Sequence, residues 1–152
     1  MIVKDIMSKK VYTVGIDMDV HKLAEEFIAR NISGAPVVDD HGRLLGLVLE
    51  EGILFQDKNV HLPTILNLSL GFVTLGLKQF EQEMKKITAG TVKDIMSEHP
   101  VTISSAMTIE AVATKMIETQ VYYFPVVEDG RLIGVLTKRD IVRAIAEGRD
   151  HS

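Results

Sequence analysis

Two stretches of this 152-residue chain repeat apolar residues at helical spacing. With the polar residues before them, they predict helices over Val20 to Arg30 and Ile109 to Thr119, with Asp19 and Thr108 as N-caps. The residues expected on the buried faces are Leu23, Phe27 and Ile28 in the first helix and Val112, Met116 and Ile117 in the second.

Runs rich in aliphatic and β-branched residues surround each helix and predict short strands. One strand is expected before each helix, over Val11 to Val14 and over Pro100 to Ile103. Two more are expected after each helix, joined by turns in which Gly42 and Gly130 permit a positive φ. These paired runs are Ala35 to Val38, Leu44 to Leu49, Phe124 to Val127 and Arg131 to Leu136.

A last helix is predicted over Lys138 to Ala146, with Gly148 as its C-terminal cap. It begins where a strand-like run ends, at Thr137, and Asp140 follows three residues later, as in a capping box. A free helix start offers N–H groups to a phosphate, and a carboxylate beside it can accept hydrogen bonds from ribose hydroxyls. Capping alone is the alternative interpretation of this pair.

The chain contains an internal repeat. The hexapeptide from Val3 to Ser8 recurs unchanged from Val92 to Ser97, and the register then holds over residues 3–55 and 92–145. Each repeat is predicted to fold as β-α-β-β-α, and a segment of about 55 residues buries only a thin core by itself. We therefore predict an α/β (α+β) fold in which the two repeats pack sheet to sheet around a pseudo-twofold axis, with clefts between them.

The segment between the repeats has no counterpart in either of them. It divides the chain into a first repeat at 1–56, an insertion at 57–90 and a second repeat at 91–152. Within the insertion, Lys78 to Thr88 has the apolar spacing of an amphipathic helix. The insertion is interpreted either as a cover for the sheet edges or as a surface for a partner or a dimer.

Composition disfavours several classes of function. The formal net charge of −4 argues against nucleic acid as the main partner. The absence of cysteine removes thiol catalysis and Cys-ligated zinc, and it is compatible with the cytoplasm. The five histidines lack metal-ligand spacing and no catalytic motif is present, so neither a metal site nor an enzyme is predicted. The most apolar run, Leu62 to Leu77, is too short and too interrupted to insert into a membrane.

The same motifs follow one another in both copies: Lys-Asp-Ile-Met-Ser, a strand with threonine, a helix, Pro-Val-Val, and Gly-x-(Leu/Ile)-x-Gly. The second copy continues with Gly-x-x-Thr-x-x-Asp-Ile. This order resembles the tandem CBS domain, named after cystathionine β-synthase, in which two copies form a CBS pair. The resemblance implies a regulatory module without catalysis. Such a module binds an adenosyl ligand such as AMP, ADP, ATP or S-adenosylmethionine between the repeats and then changes the activity or assembly of a partner.

The resemblance also implies a set of ligand-binding residues. It places Thr137 and Asp140 at the ribose and phosphate, Ile32 on the adenine, and Lys138 and Arg139 within reach of phosphates. The complete set is Ile6, Met7, Ser8, Val11, Ile32, Ser33, Gly34, Val135, Thr137, Lys138, Arg139 and Asp140. Core packing is the alternative for the apolar members, since ligand pockets are themselves mostly apolar. For Lys138 and Arg139 the alternative is a solvated helix face.

The first repeat departs from this pattern. Leu49 and Gly52 stand where the second repeat has its threonine and aspartate, so that half lacks the ribose acceptor. The two glutamates between them disfavour phosphate at a helix start. We therefore predict one competent nucleotide site per chain. Tyr122 and Tyr123 are expected either to fill part of the defective cavity or to line the phosphate end of the competent one.

The leading hypothesis is a stand-alone adenine-nucleotide sensor that acts in trans on an unidentified partner protein, as a cytoplasmic homodimer. The alternatives are a structural dimerisation module without ligand and a sensor of S-adenosylmethionine. The intact threonine–aspartate pair of the second repeat favours a sensor, whereas its loss from the first repeat favours the structural alternative.

Overall fold

The structure of the protein is a computed structural model that describes residues 1–54 and 90–148. The helix predicted over Lys78 to Thr88 lies outside the described residues, and the division of the chain at 56 and 90 stays a prediction. The described elements, labelled in chain order, are α1 (Val3–Ile6), α2 (Val20–Arg30), β1 (Gly34–Val38), β2 (Leu44–Leu49), α3 (Glu50–Leu54), α4 (Val92–Ile95), α5 (Ile109–Thr119), β3 (Tyr123–Glu128), β4 (Arg131–Thr137) and α6 (Lys138–Ala146).

Helices α2 and α5 begin and end at the predicted residues. The Asp19 carboxylate accepts a backbone N–H at 3.1 Å at the start of α2, and the Thr108 hydroxyl accepts one at 3.2 Å at the start of α5. Both N-caps are therefore confirmed. Each helix ends at a residue in the left-handed conformation, Asn31 with φ 53° and Gln120 with φ 56°, and such a residue turns the chain out of the helix.

The predicted buried faces of these helices are wrong at one position each. Ile28 is 82% exposed and Ile117 is 77% exposed, although each directly follows a buried residue in the sequence, Phe27 or Met116. Each helical residue advances by about 100°, so Ile28 stands a quarter-turn beyond Phe27 and leaves the buried stripe. The residues that do lie in the core are Leu23, Phe27, Val112 and Met116.

Each repeat contributes an antiparallel hairpin, β1 with β2 and β3 with β4. The two registers are equivalent, since Gly34 pairs with Leu49 in the first hairpin and Tyr123 pairs with Thr137 in the second. The turns contain Gly42 and Gly130, each with φ 77°, where a side chain would be strained. The predicted hairpins are confirmed.

The strands predicted before the helices are wrong in extent. Each is reduced to a single parallel bridge, Val14 with Val37 and Ile103 with Val126. The next hydrogen bond of each parallel ladder would need an N–H from Pro36 or Pro125, and proline has none. Pro36 in β1 and Pro125 in β3 thus end the pairing of the strands that precede α2 and α5.

The segment that opens each repeat packs in the opposite half of the molecule. Ser8 and Val135 exchange two backbone hydrogen bonds of 2.9 and 3.0 Å, and Ser97 and Leu47 exchange an equivalent pair of 2.9 and 3.0 Å. Each half is therefore built from both repeats.

Two glycines permit this exchange. A Cβ on Gly46 would lie 2.7 Å from the carbonyl oxygen of Ser97, and a Cβ on Gly134 would lie 2.8 Å from that of Ser8. Both distances are shorter than any normal contact of a Cβ. The opening segments can therefore approach β2 and β4 only because these positions carry no side chain.

The cores follow the exchanged connectivity. One contains Val3 and Ile6 with Ile103, Val112, Met116, Phe124, Val126, Leu136 and Ala144. The other contains Val92 with Val14, Leu23, Phe27, Ala35, Val37 and Val48. A smaller cluster of Leu47, Tyr123 and Val135 joins the two sheets, so the predicted α/β fold with sheet-to-sheet packing is confirmed. Within residues 1–54 and 90–148 no helix is long and apolar enough to cross a membrane.

Candidate functional site

A cleft of about 870 Å³ lies between the two repeats. Residues of both repeats line it, because the strands and helix starts of the two halves face each other there. All but two of the residues predicted for the ligand site line this cleft, namely Ser8, Val11, Ile32, Ser33, Gly34, Val135, Thr137, Lys138, Arg139 and Asp140. The distant segments that the family resemblance placed at one site therefore do line one cleft.

Ile6 and Met7 do not line the cleft. Together with Ser8, Asp140 and Arg143 they line an adjoining cavity of about 310 Å³. Ile6 belongs to a core, and Met7 packs against it. For Ile6, core packing is the interpretation that the structure supports.

Thr137 and Asp140 form the predicted capping box at the start of α6. The Thr137 N–H donates to Asp140 Oδ2 at 2.9 Å, and the Thr137 hydroxyl lies 3.2 Å from the same oxygen. In return, the Asp140 N–H donates to Thr137 Oγ1 at 3.3 Å. The pair thus fixes the helix start, and capping is part of its role.

The second carboxylate oxygen of Asp140 connects α6 to the opening segment of the chain. Asp140 Oδ1 accepts from Ser8 Oγ at 2.9 Å and from an Arg143 guanidinium N–H at 3.1 Å. Asp140 is only 4% exposed, so these hydrogen bonds hold a carboxylate that is almost completely buried. A ribose hydroxyl would reach Oδ1 by displacing one of the two donors. The Arg143 side chain, 55% exposed, is the one that moves more easily.

The start of α6 offers less to a phosphate than the sequence predicts. The Lys138 N–H already donates to the carbonyl oxygen of Tyr122 at 3.1 Å. The Asp140 N–H is taken by Thr137, as described above. An anion at this helix start would therefore depend more on cationic side chains than on free backbone N–H groups.

The charges of the cleft are divided between its two halves. Lys10, Lys138 and Arg139 line it and form no ion pair with any described residue. Lys138 Nζ lies 5.1 Å from the centre of the Tyr122 ring, within the range of a cation–π contact. The equivalent positions of the first repeat carry Glu50 and Glu51. An anion is therefore favoured on the side of the second repeat and disfavoured on the other.

The polar character of the cleft is equally one-sided. In the second hairpin the directly paired residues are Tyr123 and Thr137, and in the first they are Gly34 and Leu49, which carry no polar side chain. Tyr123 lies in the register position opposite Thr137 and lines the cleft together with Thr137 and Asp140. Its ring packs with Leu47 and Val135 between the two sheets, and the position expected for it at the phosphate end stays a prediction.

Sequence reasoning missed Lys10 and Arg143 as residues of the cleft. Arg143 stands three residues after Asp140 on a helix, a spacing that brings two side chains together and could have indicated the ion pair. No local signal indicates Lys10, because it enters the cleft only through the exchange of the opening segment.

A comparison with protein-family models identifies both repeats, since the model described as "CBS domain" matches residues 3–59 and 92–147. The chain therefore belongs to the CBS domain family. This assignment agrees with the repeated hairpins and with the cleft between them. The class of protein is therefore a CBS pair.

Curated relatives cover nearly the whole chain. An uncharacterised protein of Methanocaldococcus jannaschii is 33% identical over 154 residues, which span 95% of this chain and 91% of the relative. The chloroplastic CBS domain-containing protein CBSX1 of Arabidopsis thaliana is 29% identical over 93% of this chain and 63% of its own length.

Solved structures show the same fold. CBSX2 of Arabidopsis thaliana, crystallised in complex with AMP, has a TM-score of 0.72 at 25% identity and covers 97% of this chain and 98% of its own. The CBS domain pair of protein MJ0100, in complex with 5′-methylthioadenosine and S-adenosyl-L-methionine, has a TM-score of 0.70 at 26% identity and the same two coverages.

Proposed function

We propose that this CBS pair is a regulatory module that binds one adenine nucleotide, AMP, ADP or ATP, in the cleft between its repeats. The observation that carries the proposal is the buried Asp140 carboxylate, which lines the cleft together with residues of the opposite repeat. A carboxylate accepts hydrogen bonds from ribose hydroxyls, as in dinucleotide-binding folds. The AMP complex of CBSX2 supports the choice of ligand.

The lining of the cleft suits the remaining parts of a nucleotide. Ile32, Val11 and Val135 provide an apolar surface for the base, while backbone groups of Ser33 and Gly34 can bind its polar edge. Ser8 lies beside the Asp140 carboxylate and completes the ribose end.

The phosphate end requires cations that are not already paired. Lys138 and Arg139 meet this requirement among the described residues, and Lys10 adds a third positive charge. Within the part of the chain that the structure describes, the half of the cleft that carries Leu49, Glu50 and Glu51 has no counterpart of Asp140 and no cation at the positions of Lys138 and Arg139. We therefore propose one nucleotide per chain.

Calorimetric titration with AMP, ADP, ATP and S-adenosylmethionine tests this function directly. At least one adenine nucleotide is expected to bind with a stoichiometry near one per chain. Two equal sites per chain would contradict the assignment of the first repeat as defective. Absence of binding by all four compounds would leave a structural module without ligand, the second candidate function.

S-adenosylmethionine is the alternative ligand among the four compounds, because the CBS pair of MJ0100 was crystallised with it. Its sulfonium is a cation, so the cationic side of the cleft disfavours it. Tighter binding of S-adenosylmethionine than of AMP would therefore overturn the choice of nucleotide and would leave the assignment of the cleft intact.

We further propose that the module acts in trans on a partner protein, as a cytoplasmic homodimer that is not inserted into a membrane. The exposed isoleucines of α2 and α5 support the dimer. They occupy equivalent positions in the two repeats, and their burial against a second copy would remove apolar surface from water. The side chains in question are Ile28 and Ile117.

A further inference from the structure

Tyr123 carries a buried hydroxyl that the described residues leave without a hydrogen-bond partner. The residue is only 8% exposed, and its ring packs with Leu47 and Val135 between the two sheets. A Cβ on Gly34 would lie 3.1 Å from this ring, so the ring fills the space beside that glycine. Because Tyr123 also lines the cleft, this hydroxyl is available to donate to a group that enters there.

The position of Tyr123 indicates which part of a ligand it meets. It pairs directly with Thr137 across β3 and β4, so the two side chains lie on the same face of the hairpin. Thr137 is in turn bonded to Asp140, and all three residues line the cleft. The phenol and the carboxylate therefore belong to one end of the site.

The protonation state of Tyr123 suits a donor. Burial raises the pKa of the phenol above its usual range, and the nearby Asp140 carboxylate raises this pKa further. The phenol consequently remains neutral at physiological pH and retains its proton. Asp140 supplies only acceptors when ionised.

We propose that Tyr123 and Asp140 together bind one ribose hydroxyl, so that the cleft selects ribonucleotides over deoxyribonucleotides. The Tyr123 hydroxyl donates to the ribose oxygen, and the ribose hydroxyl donates to the Asp140 carboxylate. A hydroxyl is both donor and acceptor, so it satisfies both groups, whereas a phosphate oxygen would satisfy the phenol and be repelled by the carboxylate. A ligand without this hydroxyl leaves the Tyr123 phenol without a partner, whereas Asp140 keeps its hydrogen bonds to Ser8 and Arg143. The unpaired phenol is the basis on which the cleft would reject such a ligand. This inference rests on the proposed function.

The test is calorimetric titration of AMP, 2′-deoxyAMP and 3′-deoxyAMP into the wild-type chain, Tyr123→Phe and Tyr12→Phe. The wild type is expected to bind AMP about tenfold or more tightly than at least one of the deoxy compounds. Tyr123→Phe should lose about three- to tenfold in AMP affinity, the effect of one neutral hydrogen bond, with little change for the rejected deoxy compound. Its melting temperature without ligand should not fall. Tyr12→Phe is the comparison variant: Tyr12 also lines the cleft, but its hydroxyl already contacts Met18 Sδ at 3.9 Å within the protein, so its loss should not change the preference for AMP over the deoxy compounds.

The outcomes separate this inference from the proposed function. Wild-type binding of AMP with no preference over either deoxy compound overturns the inference alone. Equal loss of all three ligands in Tyr123→Phe also overturns it, since that pattern indicates packing of the ring. Failure of the wild type to bind any of the three nucleotides overturns the proposed function, and this inference with it.

Discussion

At the scale of single residues, Asp140 combines two roles that usually belong to different side chains. One oxygen closes the capping box of α6, and the other holds Ser8 and Arg143. Because the carboxylate is already fully hydrogen-bonded, ligand binding at this residue is an exchange of partners. Its replacement should therefore change both stability and affinity.

Asp140→Ala should weaken AMP binding by about tenfold or more, the effect of lost hydrogen bonds to a charged group. It should also lower the melting temperature of the ligand-free protein, because a helix cap contributes about 1 kcal/mol and each kcal/mol corresponds to about 2–4 °C in a chain of this size. Calorimetric titration and thermal melting measure the two effects.

Asp94→Ala is the matched control for this prediction. Asp94 makes the same capping hydrogen bonds to Thr91, at 2.9 and 3.2 Å, at the start of α4. It does not line the cleft. This variant should lower the melting temperature and leave AMP affinity unchanged. Equal losses of affinity in both variants would show that helix capping alone explains the role of Asp140.

Tyr123 allows a second test at this scale, on the isolated protein. The chain has three tyrosines, and the pKa of Tyr123 is raised by burial and by the Asp140 carboxylate. In an alkaline titration followed by the ultraviolet absorbance of phenolate, one tyrosine should therefore ionise above the usual range near 10. Tyr123→Phe should remove this step, and Tyr12→Phe should retain it. Persistence of the step in Tyr123→Phe would place the buried phenol elsewhere.

At the scale of elements, the exchanged opening segments determine the geometry of the site. Ser8 reaches Asp140 only because its segment bonds to β4 at Val135, and that approach depends on Gly134. A side chain at position 134 should therefore disturb the fold and the ligand site together.

Gly134→Ala should destabilise the protein by about 1–3 kcal/mol, as overpacking does, because the new methyl would meet backbone. It should also reduce AMP affinity through displacement of Ser8. Gly15→Ala is the control, since a Cβ there meets no atom within 4 Å. Thermal melting and titration should show both effects in the first variant and neither loss in the second. Unchanged melting of Gly134→Ala would contradict the close approach of the opening segment.

The sequence predicts an element well when the residues that determine it are close together along the chain, and poorly when they are far apart in the sequence. Helices α2, α5 and α6 follow from local periodicity and caps, and their predicted ends are confirmed. The leading strands fail because the pairing of Val14 is limited by a proline on another strand. The bond from Ser8 to Asp140 joins residues 132 positions apart, and no local pattern indicates it.

At the scale of the whole molecule, the two repeats present equivalent apolar side chains to solvent. Ile28 on α2 and Ile117 on α5 occupy matching helical positions. A symmetric interface between two copies would use the same patch on both, which is the commonest form of homodimer.

Light scattering should therefore give the mass of a dimer for the wild-type chain. The double variant Ile28→Glu and Ile117→Glu should give a monomer, because burial of the two charges would be unfavourable. Ala111→Glu, also exposed on α5 but on another side of the helix, should remain dimeric. A wild-type monomer, or a dimer that survives the double substitution, would refute this interface.

The reciprocal placement of the opening segments also bears on how such a chain could have arisen. In an ancestor with one repeat, the opening segment could not pack in the core of its own chain. Such a chain could complete its core only by exchanging this segment with a second, identical chain. In such a homodimer each ligand-binding position occurs once in each subunit, so one substitution changes both sites. Duplication and fusion within one gene remove that constraint. The two copies in this chain do differ at these positions, with Thr137 and Asp140 in one and Leu49 and Gly52 in the other.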